Sequence, residues 1–213
     1  MENNNSSREE ILNKIKTVRE GRSYFHSIDI DEKRTVYKPI LPDPVACFKN
    51  EIEAISGKCV ICEDENDLSV KLNEFIQERN FPYVFCKDLS LVKMLGENKI
   101  SFSDEPEDFE GMEAGITSCE FLIARTGSVM VSSSSVSGRQ MNIFPPVHIV
   151  IASSSQLVDY PEDALMAIKN KYKENLPSAI TTITGPSRTA DIEKTLVLGA
   201  HGPKEIVVFI SKK

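Results

Sequence analysis

KCVICEDENDLSVKLNEFIQERNFPYVFCKDLSLVKMLG, residues 58–96, is the stretch whose reading decides the fold. Lys58 to Cys62 is a short apolar run with charged neighbours. Leu68, Leu72, Phe75 and Ile76 then recur at helical spacing. Tyr83 to Cys86 is a second short apolar run, and Leu89 to Leu95 a second helical one closed by Gly96. Short strands alternating with helices of roughly ten residues are the pattern of βαβ units around a parallel sheet. The expected fold class is α/β: an open, mostly parallel, doubly wound sheet.

Upstream, Asp43-Pro44 opens a helix with a capping side chain followed by proline. Val45, Phe48, Ile52 and Ile55 give that helix its apolar face. Near the amino terminus, Ser7 and Glu10 are spaced as a capping box. Ile11, Leu12, Ile15 and Val18 share a helical face there, and Gly21 is a stop. The segment over residues 22–44 is charged, aromatic and proline-ended, and reads as an extended arm. The expected division is residues 1–40 as helix and arm, and 41–213 as one α/β domain. The helix and arm read equally as a partner-docking device or as an element packed on its own domain.

Downstream, residues 97–113 carry Asp104, Glu105, Glu107, Asp108, Glu110 and Glu113, a run that reads as a solvated face. Phe121 to Ala124 and Ser128 to Val131 flank a turn and suggest a hairpin. Ser132 to Ser137 is a loop by composition, able to close over a ligand. Val147 to Ile151 is a strand entered through two prolines, and Asp159 and Pro161 start a helix bearing Leu165, Ile168 and Tyr172. Ala179 to Ile183 is a further strand, and Ile206 to Ile210 closes the sheet.

A net charge of -7 argues against nucleic-acid binding, which needs a basic face. No apolar run approaches the roughly 18 residues of a membrane span. MENNNSSREE lacks the features of a secretory signal, so a cytoplasmic protein is expected. Five cysteines do not form a disulfide framework. Cys59 and Cys62 have C-x-x-C spacing, but a strand points two such thiols to opposite faces. No metal and no cofactor are expected.

Thr181 to Pro203 carries the chemistry. A β-branched run meets the Gly185-Pro186 turn, and Ser187, Arg188, Thr189, Asp191 and Glu193 follow. A second turn holds Gly199, His201 and Gly202. Strand, glycine turn and polar segment is how an open sheet presents a ligand at its carboxyl edge. Ser187 can cap a following helix, whose first N–H groups together with the Arg188 guanidinium suit a carboxylate or phosphate. A capped surface helix with Arg188 paired to Asp191 or Glu193 fits the same residues equally well. Thr126, Gly127 and Ser128 offer a small hydroxyl and N–H cradle, or plain hairpin chemistry. His148 at a strand edge and His201 in a glycine-rich turn can reach one pocket, where imidazole serves as acid or base. A lone strand histidine is more often a packing residue.

GITSCEFLIARTGS (115–128), PPVHIVIA (145–152) and GPSRTADIEKTLVLGAHGP (185–203) together resemble the lactate-utilization protein C family, whose shared unit is the LUD domain. The resemblance implies a sheet of the NagB/RpiA/CoA-transferase-like group. It also implies a role in oxidising L-lactate to pyruvate beside two iron–sulfur partner proteins. By position it carries over Thr126, Gly127, His148, Gly185, Pro186, Ser187, Arg188, Thr189, Asp191, Glu193, Gly199, His201 and Gly202. Arg125 departs from the family, which is commonly acidic there. Three functions remain open: a non-redox subunit binding a small anionic ligand, a stand-alone enzyme on a CoA ester or phosphosugar-like substrate, and an assembly protein without pocket chemistry. A homo-oligomer is compatible with each.

Overall fold

The structure, a computed structural model, describes residues 4–20, 40–190, 196–199 and 201–212. Gly21, the arm over 22–39, Asp191 and Glu193 lie outside the described residues. By contact the chain forms two units, Met1–Lys38 and Pro39–Lys213.

The first unit holds α1 (Asn4–Glu20). It begins before Ser7, so Ser7 sits in the first turn and is not the expected cap. Lys14 Nζ donates to Glu10 Oε1 one turn away (2.8 Å), and Ile11, Leu12 and Ile15 are exposed.

The second unit runs α2 (Pro44–Ala54), β1 (Lys58–Cys62), α3 (Glu65–Glu78), β2 (Val84–Cys86), α4 (Leu89–Glu97) and β3 (Phe102–Ser103). It continues with β4 (Ala114–Ser118), β5 (Phe121–Ile123), β6 (Ser128–Ser132), β7 (Val147–Ser153), β8 (Leu157–Val158) and α5 (Pro161–Tyr172). The last elements are β9 (Ile180–Ile183), β10 (Arg188–Ala190), β11 (Leu196–Leu198) and β12 (Glu205–Ser211). Asp43 caps α2 as expected, accepting from the Val45 N–H (2.9 Å) with Pro44 next in line. Asp64 and Asp88 do the same for α3 and α4.

Six strands form the central sheet in the order β1-β12-β7-β4-β2-β3, every neighbouring pair parallel. β12 does not close this sheet; it runs between β1 and β7. Its side chains alternate between two cores. Val207 and Phe209 pack with Leu72 of α3 and Leu95 of α4, while Ile206, Val208 and Ile210 pack with Phe48 and Ile52 of α2. Fully burying side chains like Phe48 and Ile52 contributes about 1.5–3 kcal/mol each. Cys59 joins the second core and Cys62 the first, so the two thiols do face opposite ways. Burial pushes them up to about 12 and about 11 respectively.

The expected hairpin forms, with β5 antiparallel to β6, but outside the central sheet. Its strands belong to a second sheet, β8-β5-β6-β9, whose Leu122, Val129 and Val131 pack against Val150 and Val208. Ala164 and Ile168 of α5 cover the far side of that sheet through Ile123 and Met130. The alternating apolar pattern of β5 and β6 serves two buried faces, which a single-sheet reading does not separate.

α3 and α4 pack on one face of the central sheet, and the second sheet packs on the other. The connection leaving β2 goes outward to β3, whereas that leaving β4 goes the opposite way toward β7. The sheet therefore has a topological switch point between β2 and β4. Among the described residues no helix is long and apolar enough to cross a membrane.

Candidate functional site

Ligands of open α/β sheets bind outside the carboxyl ends of the strands at a switch point. Here that place lies between Asp88, two residues past β2, and Ser118, the last residue of β4. Ser118 Oγ donates to Asp88 Oδ2 (2.7 Å), while Ser90 donates through its N–H (3.1 Å) and hydroxyl (2.6 Å) to Oδ1. Burial raises the Asp88 carboxyl, but these hydrogen bonds outweigh it and hold the group below its ordinary range. A cleft of about 200 Å³ opens at this point, lined by Asp88, Ser118, Ser134, Ser135, Lys171 and Tyr172 among others.

The cleft wall is built around Glu120. Its side chain is 7% exposed and accepts from Ser132 Oγ (2.6 Å), Tyr172 OH (2.6 Å) and Lys171 Nζ (2.7 Å). Burial alone would raise this carboxyl; the donors, Lys171 first, bring it below the ordinary value. The same bond raises Lys171, whose side chain remains 55% exposed. The site thus presents an ammonium, an ionised Asp88 and several hydroxyls to one small space. Cys119 also lines it, with its thiol pushed up to about 12 by burial and so protonated at neutral pH. The Ser132–Ser137 loop, expected to reach over a ligand, contributes Ser134, Ser135 and Val136 to the lining.

The residues singled out in the sequence come together elsewhere, at the amino edge of the sheet. Gly127 has φ +58, and a Cβ there would lie 2.3 Å from the Ile52 backbone nitrogen of α2. Gly185 (φ +76) approaches the Ile55 carbonyl in the same way. Ser128 Oγ donates to Thr126 Oγ1 (2.8 Å) and shares a hydrogen bond with Thr184 Oγ1 (2.8 Å). Arg188 Nη2 donates to the Ile55 carbonyl and to Ser56 Oγ (2.7 Å), placing its charge on the carbonyl end of α2, where the helix dipole favours a cation. Where a helix was expected to follow Ser187, the described residues Arg188, Thr189 and Ala190 instead pair antiparallel with Leu198, Val197 and Leu196. The Ser187 N–H donates to the Pro203 carbonyl (2.8 Å), so its turn closes on the Gly199–Pro203 turn. Gly202 abuts Ser187, and His201 is exposed beside it. Thr126 to Ser128, Gly185 to Thr189 and Gly199 to Gly202 therefore form one corner seated on α2, not an opening at the carboxyl edge.

His148 does not join that corner. It lies in the middle of the central sheet, paired in register with Gly115 and Ile206, and is fully buried. Its Nε2 is 2.8 Å from Thr117 Oγ1, and Nδ1 has no partner among the described residues. Burial pushes the imidazole down to about 4. A histidine depressed in the folded state adds stability above its unfolded value of about 6.5, and loses it as pH falls toward 4. Urea titrations of the parent and His148→Gln at pH 7 and 4.5 isolate this effect. Over that interval the parent is expected to lose about 2 kcal/mol more than the variant. Equal losses would contradict the buried neutral imidazole.

Asp88, Ser118, Glu120, Lys171 and Tyr172 line this candidate cleft and were not singled out from the sequence. The usable signal was an acid just past each of two strand ends, in VFCKD and ITSCE.

Comparison with known proteins gives four findings. The model of the LUD domain matches residues 45–211. "Lactate utilization protein C 1" of Bacillus mycoides is 36% identical over 105 residues, 47% of this chain and 45% of that protein. "Lactate utilization protein C" of Anoxybacillus flavithermus is 29% identical over 147 residues, 69% of this chain and 60% of that one. The chain thus spans less than two thirds of the length of these curated relatives. A DUF162 family protein of Deinococcus radiodurans shares the fold with TM-score 0.60 at 17% identity, over 79% of this chain and 96% of that one.

Proposed function

Because the chain belongs to the LUD domain family, we propose that it is a non-redox component of an L-lactate utilization system. In this reading it binds a small 2-hydroxy or 2-oxo carboxylate while iron–sulfur partner proteins carry the electrons. The observation that carries the reading is the cleft at the switch point, where Lys171 and Asp88 line one space of about 200 Å³. An ammonium has three N–H donors. Lys171 gives one to Glu120, which leaves others for a ligand carboxylate. Asp88 is held ionised and accepts a ligand hydroxyl. Lactate offers a carboxylate and a hydroxyl on adjacent carbons, and a space of this size suits a three-carbon acid better than a CoA ester. The names of the curated relatives point the same way.

Calorimetric titration with L-lactate and with pyruvate tests this. The parent is expected to bind at least one of them, and Lys171→Met to weaken binding tenfold or more, since a charge-assisted hydrogen bond contributes about 1.5–3 kcal/mol. Absence of binding by the parent would sink the proposal.

A further inference from the structure

The acidic segment 104–113 serves neither the cleft nor the central core, and it borders an aromatic pocket at the opposite edge of the sheet. That pocket, about 350 Å³, is lined by Phe109, Glu110, Met112, Gln140, Phe144 and Pro146. The Phe109 and Phe144 rings meet at 52° with centroids 5.5 Å apart. Phe144 is 61% exposed and its neighbour Ile143 52%, large apolar side chains left in water. Met112, Met141 and Phe85 are buried beneath.

We propose that this pocket receives an arginine side chain carried on a basic surface of a protein partner. Charge and ring geometry choose the occupant together. Asp104, Glu105, Glu107, Asp108, Glu110 and Glu113 have no ion pair among the described residues. Among the described residues only Asp108 of these has a side-chain donor, Ser103 Oγ. Unpaired carboxylates around a binding patch steer a cationic partner and reject an anionic one. Two aromatic rings help wall the pocket and attract a planar guanidinium, with Glu110 and Gln140 as acceptors for its N–H groups. Phe109 already takes a cation from its own chain, Lys87 Nζ lying 5.5 Å from its centroid.

A free small molecule filling the pocket would leave Ile143 and Phe144 uncovered, whereas a protein surface covers them as a rim. The pocket reaches Pro146, immediately before β7, and the seven residues of β7 span about 20 Å to the carboxyl edge. A partner seated there leaves the lactate cleft open. The inference does not depend on what the cleft binds.

Fluorescence anisotropy with a labelled tri-arginine peptide in a neutral glycine-serine background tests it, beside matched lysine and citrulline peptides. The arginine peptide is expected to bind more tightly than lysine, and citrulline to bind negligibly. Phe144→Ala and Glu110→Gln should each weaken arginine binding at least fivefold, with the melting temperature of the protein unchanged. No arginine binding would overturn the proposal. So would affinity unmoved by Phe144→Ala, or equal binding of lysine and arginine, since either would leave only diffuse attraction to an acidic surface.

Discussion

Replacing Gly127 by alanine is expected to be the most damaging single-methyl change among these turns. The new Cβ would sit 2.3 Å from the Ile52 nitrogen and 2.7 Å from its Cα, both in the backbone of α2. No side-chain rotation relieves a clash with helix backbone, and Phe48 and Ile52 fix that helix in the core. The left-handed φ of +58 adds roughly 1–2 kcal/mol to an overpacking cost of about 1–3 kcal/mol. Gly138 is the control. Its φ is +72, but nothing lies within 4 Å of a Cβ built on it, so only the backbone cost applies. Denaturant midpoints should place Gly127→Ala well below Gly138→Ala. If the two variants are equally stable, the corner does not seat on α2 as described.

Lys171→Met is expected to have the second largest effect, with a pH signature. It removes the charged partner of Glu120, whose side chain is 7% exposed, and leaves an ionised carboxylate facing only Ser132 and Tyr172. Breaking a buried pair costs about 3–5 kcal/mol. Because Lys171 is itself 55% exposed, solvent screens the pair and a loss of about 2–3 kcal/mol at pH 7 is expected. The sign with pH follows from the depressed Glu120 carboxyl. In the parent its stabilisation is present above the unfolded value and lost as pH falls through the folded one. In Lys171→Met the carboxylate lacks its main stabilising donor, so protonation relieves the defect and the gap to the parent narrows on acidification. A gap that stays constant from pH 7 to 4 would mean that the two groups do not interact.

The alternation of strands and helices over residues 58–96 was legible because its signals are local. Helical spacing at Leu68, Leu72 and Ile76 and the cap at Asp43 depend only on near neighbours. The hairpin of β5 with β6 was legible from the turn between them, but nothing within those strands says that they leave the central sheet to pair with β8 and β9. The site was obscured for the same reason. Glu120 takes its donors from Lys171 and Tyr172, 51 and 52 residues away, and Arg188 reaches Ile55, 133 residues upstream. The glycines and Arg188 drew attention through unusual local chemistry, which the fold uses to close turns on a helix. A packing role for His148 was the reading its strand position favoured; what the sequence did not show is its complete seclusion, which follows from register with Gly115 and Ile206.

The proposed function places the ligand at the switch point between β2 and β4. Backbone amide chemical shifts followed through a titration with L-lactate and with pyruvate test it most directly. The account predicts that the largest changes fall at Asp88–Leu91, Ser118–Glu120, Ser132–Val136 and Lys171–Tyr172. Changes confined to Thr126–Ser128, Thr184–Thr189 and Gly199–Gly202 would contradict it and place the ligand in the corner on α2.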